Sequence, residues 1–379
     1  MKIGIDARFV GPQGTGLGKY TEKLVLNLSK IDPKNQYAIF LKKDNWDYLA
    51  LSKNFKKVLA DVPWYSLEEQ LKMPGIFKSQ NLDILHVPHF NVPIFYRGKF
   101  VVTIHDLIHH EFSETSVTTK NPLIFSLKRI AYRKVIGHAI HKSQKIITPS
   151  NFVKSEIARN FKIDQSKIVV TYEAAEEEYF SRQPLAVSRQ PFLLYVGNAY
   201  PHKNLERLLD ALEMINSYSS SERSESRSSE QARTIINLIL VCPRDVFSKR
   251  LLSEIRKRDL EKSVELKGYL GPEELSKLFQ KAAAYIFPSL SEGFGIPGLN
   301  AMASNLPLLA SAIPVLKEVY GDAALYFDPK NPNDIARKIE EFSKSPKLKS
   351  DLIKKGKRKV KKYSWLKMAH QTLSIYKNY

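Results

Sequence analysis

The segment Ser289–Ala303, SLSEGFGIPGLNAMA, sets a carboxylate, Glu292, directly before a Gly-Phe-Gly turn and a short helical pattern. Such a turn frees the backbone N–H groups of Gly293, Phe294, Gly295 and the first helical turn, and a cluster of this kind holds phosphate. Pro297 fits the first helical position, where a missing N–H costs nothing. A carboxylate beside a bound anion is awkward unless it has a task. Glu292 can accept hydrogen bonds from sugar hydroxyls or stabilise positive charge at a reacting carbon; otherwise it is a solvated loop acid. Asn300 falls in the first turn of the same helix, eight residues after Glu292.

Three further loops have similar chemistry. In Gly11–Tyr20, GPQGTGLGKY, the residues Gly14, Gly16 and Gly18 let backbone approach a ligand closely. No Gly-Lys-Ser/Thr ends the run, so it is not a P-loop, and a flexible strand–helix turn is an equal reading. In Thr103–His110, TIHDLIHH, His105 stands where a strand-like run ends. A neutral imidazole there can bond a sugar hydroxyl or a backbone carbonyl; a purely structural histidine is the competing reading. His86, His89, His109 and His110 are near in sequence, but they lack HExxH spacing and cysteine companions, so no metal site is expected. In Val196–Leu209, VGNAYPHKNLERLL, Lys203 precedes a helix and suits a diphosphate, although alone it reads as a solvated lysine.

Each loop follows a short apolar run. KIGID (Lys2–Asp6), YAIFL (Tyr37–Leu41), ILHV (Ile84–Val87), FVVTIHD (Phe100–Asp106) and KIITPS (Lys145–Ser150) alternate with amphipathic helical segments. The polar stretch Ser181–Pro191 reads as a linker, and the pattern then restarts with FLLYVG (Phe192–Gly197), TIINLILV (Thr234–Val241), VELKGY (Val264–Tyr269), AAYIFPS (Ala283–Ser289) and PLLAS (Pro307–Ser311). This is an α/β pattern of two doubly wound parallel sheets, with ligands expected in a cleft at the carboxyl ends of the strands. Ser217–Ser229, with eight serines in thirteen positions, cannot bury a face and is expected to be a disordered insertion. Trp365, Met368, Leu373 and Tyr376 form the apolar stripe of a terminal helix.

At 379 residues the chain is too long for one ordinary core, and its charged fraction of 26% suits a soluble protein. The formal charge of +20 favours polyanions: nucleic acid, anionic lipid or phosphorylated small molecules. A lone cysteine, Cys242, rules out an internal disulfide and suits a reducing compartment. Asp6 and Arg8 fall too early for a secretion signal. No apolar run approaches the ~18–20 residues that cross a bilayer, so any membrane contact is expected at the surface. Pro122–Lys145 mixes Leu123, Ile124, Leu127 and Tyr132 with Lys128, Arg129, Arg133 and Lys134; it reads equally as an interfacial helix and as a core helix with a basic side.

GIDARFVGPQGTGLGKYTEKLV, WYSLEEQLKMP, DILHVPHFNVP, TIHDLI, TPSNFVKSEI, YVGNAYPHKNLERLL, FPSLSEGFGIPGLNAMA and VYGDAALYFDP, in this order, resemble the retaining glycosyltransferases of the GT-B fold, family 4, the group 1 mannosyltransferase-like enzymes. The resemblance implies an acceptor-binding domain over 1–183, a nucleotide-sugar domain over 191–358, and a helix over 359–379 that packs back on the first, with closure over the donor. It implies transfer of a mannose- or glucose-type hexose with retention, from GDP-mannose or a UDP-hexose, to a glycan or lipid-linked acceptor. Departure and attack on one face, with the leaving phosphate taking the acceptor's proton, need no paired acid and base. The chain has no Asp-x-Asp, and basic residues are expected to replace a metal; no cofactor is implied.

Residue by residue, the resemblance gives Glu292 the donor sugar, and Gly293, Phe294 and Gly295 the sugar and diphosphate. It gives Lys203 the diphosphate and His105 the sugar near its reacting carbon. Gly16 and Gly18 match the glycine loop near phosphate and acceptor, and Gly268 and Tyr269 meet the base. His202 and Asn198 stand where the family usually has arginine, and Cys242 where it usually has glycine. Asn300 replaces the acid that takes both ribose hydroxyls, and weaker nucleotide binding is expected from its single acceptor oxygen. The resemblance implies a cytoplasmic protein, with peripheral contact to anionic membrane on its inner face. A catalytically weak partner subunit, a nucleotide-sugar epimerase and a DNA-modifying glucosyltransferase are the alternatives, although no nucleic-acid module is recognised and no nucleic acid is expected as partner.

Overall fold

A computed structural model of the chain describes residues 1–11, 15–108, 122–180, 191–221 and 236–379. The chain divides into two compact units, Met1–Glu173 with Ser364–Tyr379, and Ala174–Tyr363. The expected linker at Ser181–Pro191 lies almost wholly outside the described residues. Of the serine tract, Ser217–Ser221 prolong the helix Leu205–Ser221, contrary to the expectation of disorder, and the rest is not described.

The first unit is built on a seven-stranded sheet: β1 (Lys2–Asp6), β2 (Gln36–Leu41), β3 (Phe55–Leu59), β4 (Ile84–Val87), β5 (Phe100–Thr103), β6 (Ile146–Thr148) and β7 (Ile168–Val170). Their spatial order is β3-β2-β1-β4-β5-β6-β7, every pairing parallel. Helices on both faces leave β4, β5 and β6 buried along their length, which is why these strands are unbroken apolar runs in the sequence. The second unit has six strands: β8 (Phe192–Val196), β9 (Asn237–Val241), β10 (Val264–Lys267), β11 (Ala284–Phe287), β12 (Leu308–Ser311) and β13 (Leu325–Phe327). Their order is β10-β9-β8-β11-β12-β13, again all parallel.

Strand order reverses between β1 and β4 in the first unit and between β8 and β11 in the second. In open α/β sheets ligands bind at such switch points, beside the carboxyl ends of the strands. The loops after β1 and β4, and those after β8 and β11, are therefore neighbours by construction.

The helix Trp365–Tyr376 belongs to the first unit and packs on the helix Thr15–Ile31. Trp365, Met368, Leu373 and Tyr376 are all buried, so the stripe read from the sequence is the packed face. The helix is also latched by hydrogen bonds. His86 of β4 is fully buried, with Nδ1 2.5 Å from the Tyr376 hydroxyl and Nε2 2.8 Å from Thr103 Oγ1. Burial first, and then the charge of His105, push the His86 imidazole down to about 3, so the ring is neutral. One nitrogen donates and the other accepts, and a hydroxyl serves either. In Tyr376→Phe one His86 nitrogen loses its partner inside the core. Equilibrium denaturation is expected to show a loss of about 1–3 kcal/mol with little change in slope.

Candidate functional site

In the second unit the loops after β8 and β11 meet. The first ends in the single turn Pro201–Lys203, and the main chain ties it to the other: Leu290 N–H donates to the His202 carbonyl at 2.8 Å. Asn204, left-handed at φ 60°, donates through Nδ2 to the carbonyls of Pro288 (3.0 Å) and Pro329 (2.7 Å). These bonds fix Lys203, whose Nζ lies 2.6 Å from Glu292 Oε1 in a pair that is mostly shielded from water. The Lys203 ammonium also lies 5.8 Å from the Phe287 ring centroid. The two residues assigned separately to diphosphate and to sugar are thus direct partners, which the spacing of 89 positions conceals.

The turn after Glu292 is shaped by its glycines. Gly295 sits at φ 109°, a left-handed conformation that side chains resist, and caps the helix Ile296–Ala303. Pro297 is the second helical residue, one place later than expected. The Tyr320 hydroxyl donates to the Gly295 carbonyl at 2.6 Å, and a Cβ on Gly298 would fall 2.3 Å from that hydroxyl oxygen. Gly293 is buried, and Phe294 is buried with its ring against Tyr363. Beside β8, the Tyr195 hydroxyl donates to the Asn198 carbonyl at 2.7 Å, and Tyr200 N–H approaches Asn198 Oδ1 at 3.4 Å. Gly268 faces Arg244, whose Nε a Cβ there would approach to 2.9 Å, and the next residue, Tyr269, is 80% exposed. Cys242 is buried, and burial pushes its thiol up to about 12, so it stays protonated and inert.

Asn300 is held from within the second unit. It is buried, and its Oδ1 accepts the Glu176 N–H at 3.0 Å while Nδ2 lies 3.4 Å from Glu176 Oε1. Its single acceptor oxygen therefore holds backbone. The choice of asparagine has a local reason: an acid here would face the Glu176 carboxylate.

In the first unit Gly16 and Gly18 belong to the first turn of the helix Thr15–Ile31, not to a loop. Gly16 faces open space. Gly18 is needed for packing, because a Cβ there would fall 2.4 Å from the Phe9 carbonyl oxygen. Gly14 and His109 and His110 lie outside the described residues. Among the described residues no cluster of His, Cys, Asp or Glu could hold a metal ion.

His105 follows β5 and packs edge-on against Tyr20, ring centroids 4.6 Å apart. Its Nδ1 meets Glu173 Oε1 at 3.1 Å and its Nε2 meets the Pro88 carbonyl at 3.0 Å. Both partners accept, so the arrangement favours the protonated ring, which offers a proton on each nitrogen. Burial alone lowers its pKa, but the Glu173 hydrogen bond and charge, the Pro88 carbonyl and Asp106 outweigh burial and raise it. Glu173, 68 positions away, favours the charged form of this ring over the neutral imidazole considered from the sequence.

Among the loops of the first unit, the sequence reading missed Arg8, which is fully buried. It bonds both Asp6 oxygens (2.8 and 2.7 Å), Glu69 Oε1 (2.6 Å) and the Val62 carbonyl (3.2 Å). An Asp-x-Arg pair at the end of a buried strand was the available signal.

Comparison with known proteins fits this geometry. Residues 176–359 match the family described as glycosyl transferases group 1, and residues 47–178 match glycosyltransferase family 4. The chain belongs to this group 1, family 4 class of GT-B glycosyltransferases. The O-antigen chain mannosyltransferase RfbU of Salmonella typhimurium is 26% identical over 89% of this chain and 90% of its own length. The O-antigen chain mannosyltransferase B of Escherichia coli is 28% identical over 78% and 74%. A sucrose-phosphate synthase from Thermosynechococcus elongatus has the same fold, with a TM-score of 0.77 at 18% identity, covering 100% of this chain and 98% of that one. WaaG, a glycosyltransferase involved in lipopolysaccharide biosynthesis, gives 0.73 at 13%, covering 99% of both.

Two outcomes follow for this region. The stability that charged His105 supplies is present below the ordinary imidazole pKa of about 6.5 and is lost as pH rises through the raised folded value. Glu173→Gln is expected to move the ring's titration in imidazole NMR to lower pH and to flatten the fall in melting temperature above neutrality. Asn300→Asp keeps an acceptor for Glu176 N–H but sets two carboxylates together. A loss of about 1–3 kcal/mol is expected, read by chemical denaturation and smaller in Asn300→Asp with Glu176→Gln.

Proposed function

We propose that this glycosyltransferase moves a hexose of the mannose or glucose type from a nucleotide diphosphate sugar to a glycan or lipid-linked acceptor, with retention and without a metal. The observation that carries the reading is the Lys203–Glu292 pair at the switch point of the second sheet. In this reading the donor's diphosphate replaces Glu292 on the Lys203 ammonium. Glu292 then turns to the hydroxyls of the donor sugar. The ammonium and the amides of Gly293–Gly295 stabilise the charge that gathers on the leaving diphosphate, an electrostatic form of catalysis. The same phosphate takes the acceptor's proton as the new bond forms on the face it leaves. His202 and Asn198 flank the diphosphate, and Gly268 and Tyr269 meet the base.

The choice of mannose is supported by the names of the relatives, both O-antigen mannosyltransferases. Work at the cytoplasmic face of a membrane is supported by the net charge of +20 and by Arg129, Arg133 and Lys134, all exposed on one helix. No helix among the described residues is long and apolar enough to cross a membrane.

Calorimetry with GDP, UDP, ADP and their sugar conjugates in chelator is the test, together with transfer assays. Lys203→Ala is expected to weaken the preferred nucleotide by about tenfold or more, the loss of a charge-assisted contact. Glu292→Gln removes a charge that competes for Lys203, so nucleotide affinity is expected to hold or improve while transfer falls by about 100-fold or more. Binding of none of the nucleotides refutes the transferase reading and favours a partner subunit without activity.

A further inference from the structure

Aromatic rings collect at the switch point of the first sheet, and the donor reading gives them no role. Phe9 follows β1, Trp64 and Tyr65 follow β3, and His89 and Phe90 follow β4. Phe9 stacks on Trp64 with centroids 4.4 Å apart and planes within 8°. Tyr65 approaches Phe9 at 6.2 Å, His89 at 5.7 Å and Phe90 at 6.2 Å. The cluster is closed by Tyr132, edge-on to Phe90 at 5.0 Å.

Its outermost member, Tyr65, is 61% exposed and holds a left-handed backbone at φ 56°. A bulky residue in that conformation is strained and persists only where its surroundings impose it. The imposing group is Glu69, fully buried, whose Oε2 accepts Tyr65 N–H at 2.8 Å. The same carboxylate accepts from Arg8, in the loop after β1, and from Asn91, in the loop after β4. One acid therefore ties together the three loops that carry the rings. The indole N–H of Trp64 is buried without a hydrogen-bond partner, a cost that packing alone does not explain. The cluster is continuous with His105, because Nε2 of that ring donates to the carbonyl of Pro88, the residue before His89.

We infer that Tyr65, backed by His89, Phe90 and the Phe9–Trp64 stack, is the platform on which the acceptor's pyranose ring lies. The inference rests on the proposed transferase reading and adds the acceptor subsite to it. The C–H face of a pyranose is weakly positive and apolar, and it complements the negative face of an aromatic ring. The ring hydroxyls stay free for polar neighbours, as in sites that combine aromatic walls with a few convergent polar groups. A platform fixed by a buried carboxylate, not by solvent-exposed contacts, orients the acceptor without ordering it anew at each turnover.

The test titrates the methyl glycosides of mannose, glucose, galactose, rhamnose and N-acetylglucosamine into the full chain by saturation-transfer NMR. Nucleotide affinity is measured on the same samples. At least one glycoside is expected to bind wild type and Tyr65→Phe alike, and to bind Tyr65→Ala about tenfold more weakly, the upper end for one aromatic contact. Nucleotide affinity is expected to be equal in all three. Tyr65 is exposed, so its truncation leaves no cavity, and equal melting temperatures verify the fold. Binding of no glycoside, or equal binding to Tyr65→Ala and wild type, overturns the platform whatever the nucleotides do. Glycoside binding that depends on Tyr65 in a protein that binds no nucleotide upholds the platform and refutes the donor reading.

Discussion

The first unit is organised around a guanidinium that has no access to water. Arg8 lies between Asp6 and Glu69, and all three are buried. Burial works against the charge of Arg8, but the two carboxylates outweigh it and raise its pKa. Burial raises the pKa of Glu69, Arg8 opposes that, and Asp6 adds to it. Ions in such a place persist only when their hydrogen-bonding capacity is filled, since each unfilled position leaves an uncompensated charge. The filling comes from the Val62 carbonyl, Tyr65 N–H and Asn91 Nδ2. A demand of electrostatics thus becomes geometry: loops from three strands are held at fixed positions because each completes the shell of one ion group.

The second unit reaches a comparable result with less charge. Lys203 and Glu292 keep slight contact with water, so their exchange with an anion is not opposed by full desolvation. Rigidity comes from around them. Tyr320, through one hydroxyl, fixes the glycine turn that follows Glu292, and Asn204 fixes the turn that carries Lys203. The pair is mobile in principle within a frame that is not, which suits a site that must accept and release a charged substrate.

Much of the fold could be read from the sequence because buried parallel strands are apolar throughout. Ten of the strands were expected, and β1 and β4 coincide with the expected runs. The three that were not recognised are broken by charge or are very short. β3, FKKVL, has two lysines and lies at the sheet edge, and β7 and β13 have three residues each. Of the candidate site, residue types and loop positions were legible, and partners were not. Glu173 on His105, Glu176 on Asn300 and Glu69 on Arg8 come from 68, 124 and 61 positions away. In each case a group supplied by a distant segment set the charge or the orientation of the residue.

The helix Trp365–Tyr376 has a consequence for how the chain comes to be made. Its buried face completes the first unit, and Tyr376 reaches back to His86 across 290 positions. Synthesis proceeds from the amino terminus and domains generally fold in that order. Here the unit synthesised first is the one finished last. Until residues 364–379 leave the ribosome, the face beside the Thr15–Ile31 helix waits uncovered, while the whole second unit can fold. The order in which the two units mature is therefore the reverse of the order in which most of their residues appear.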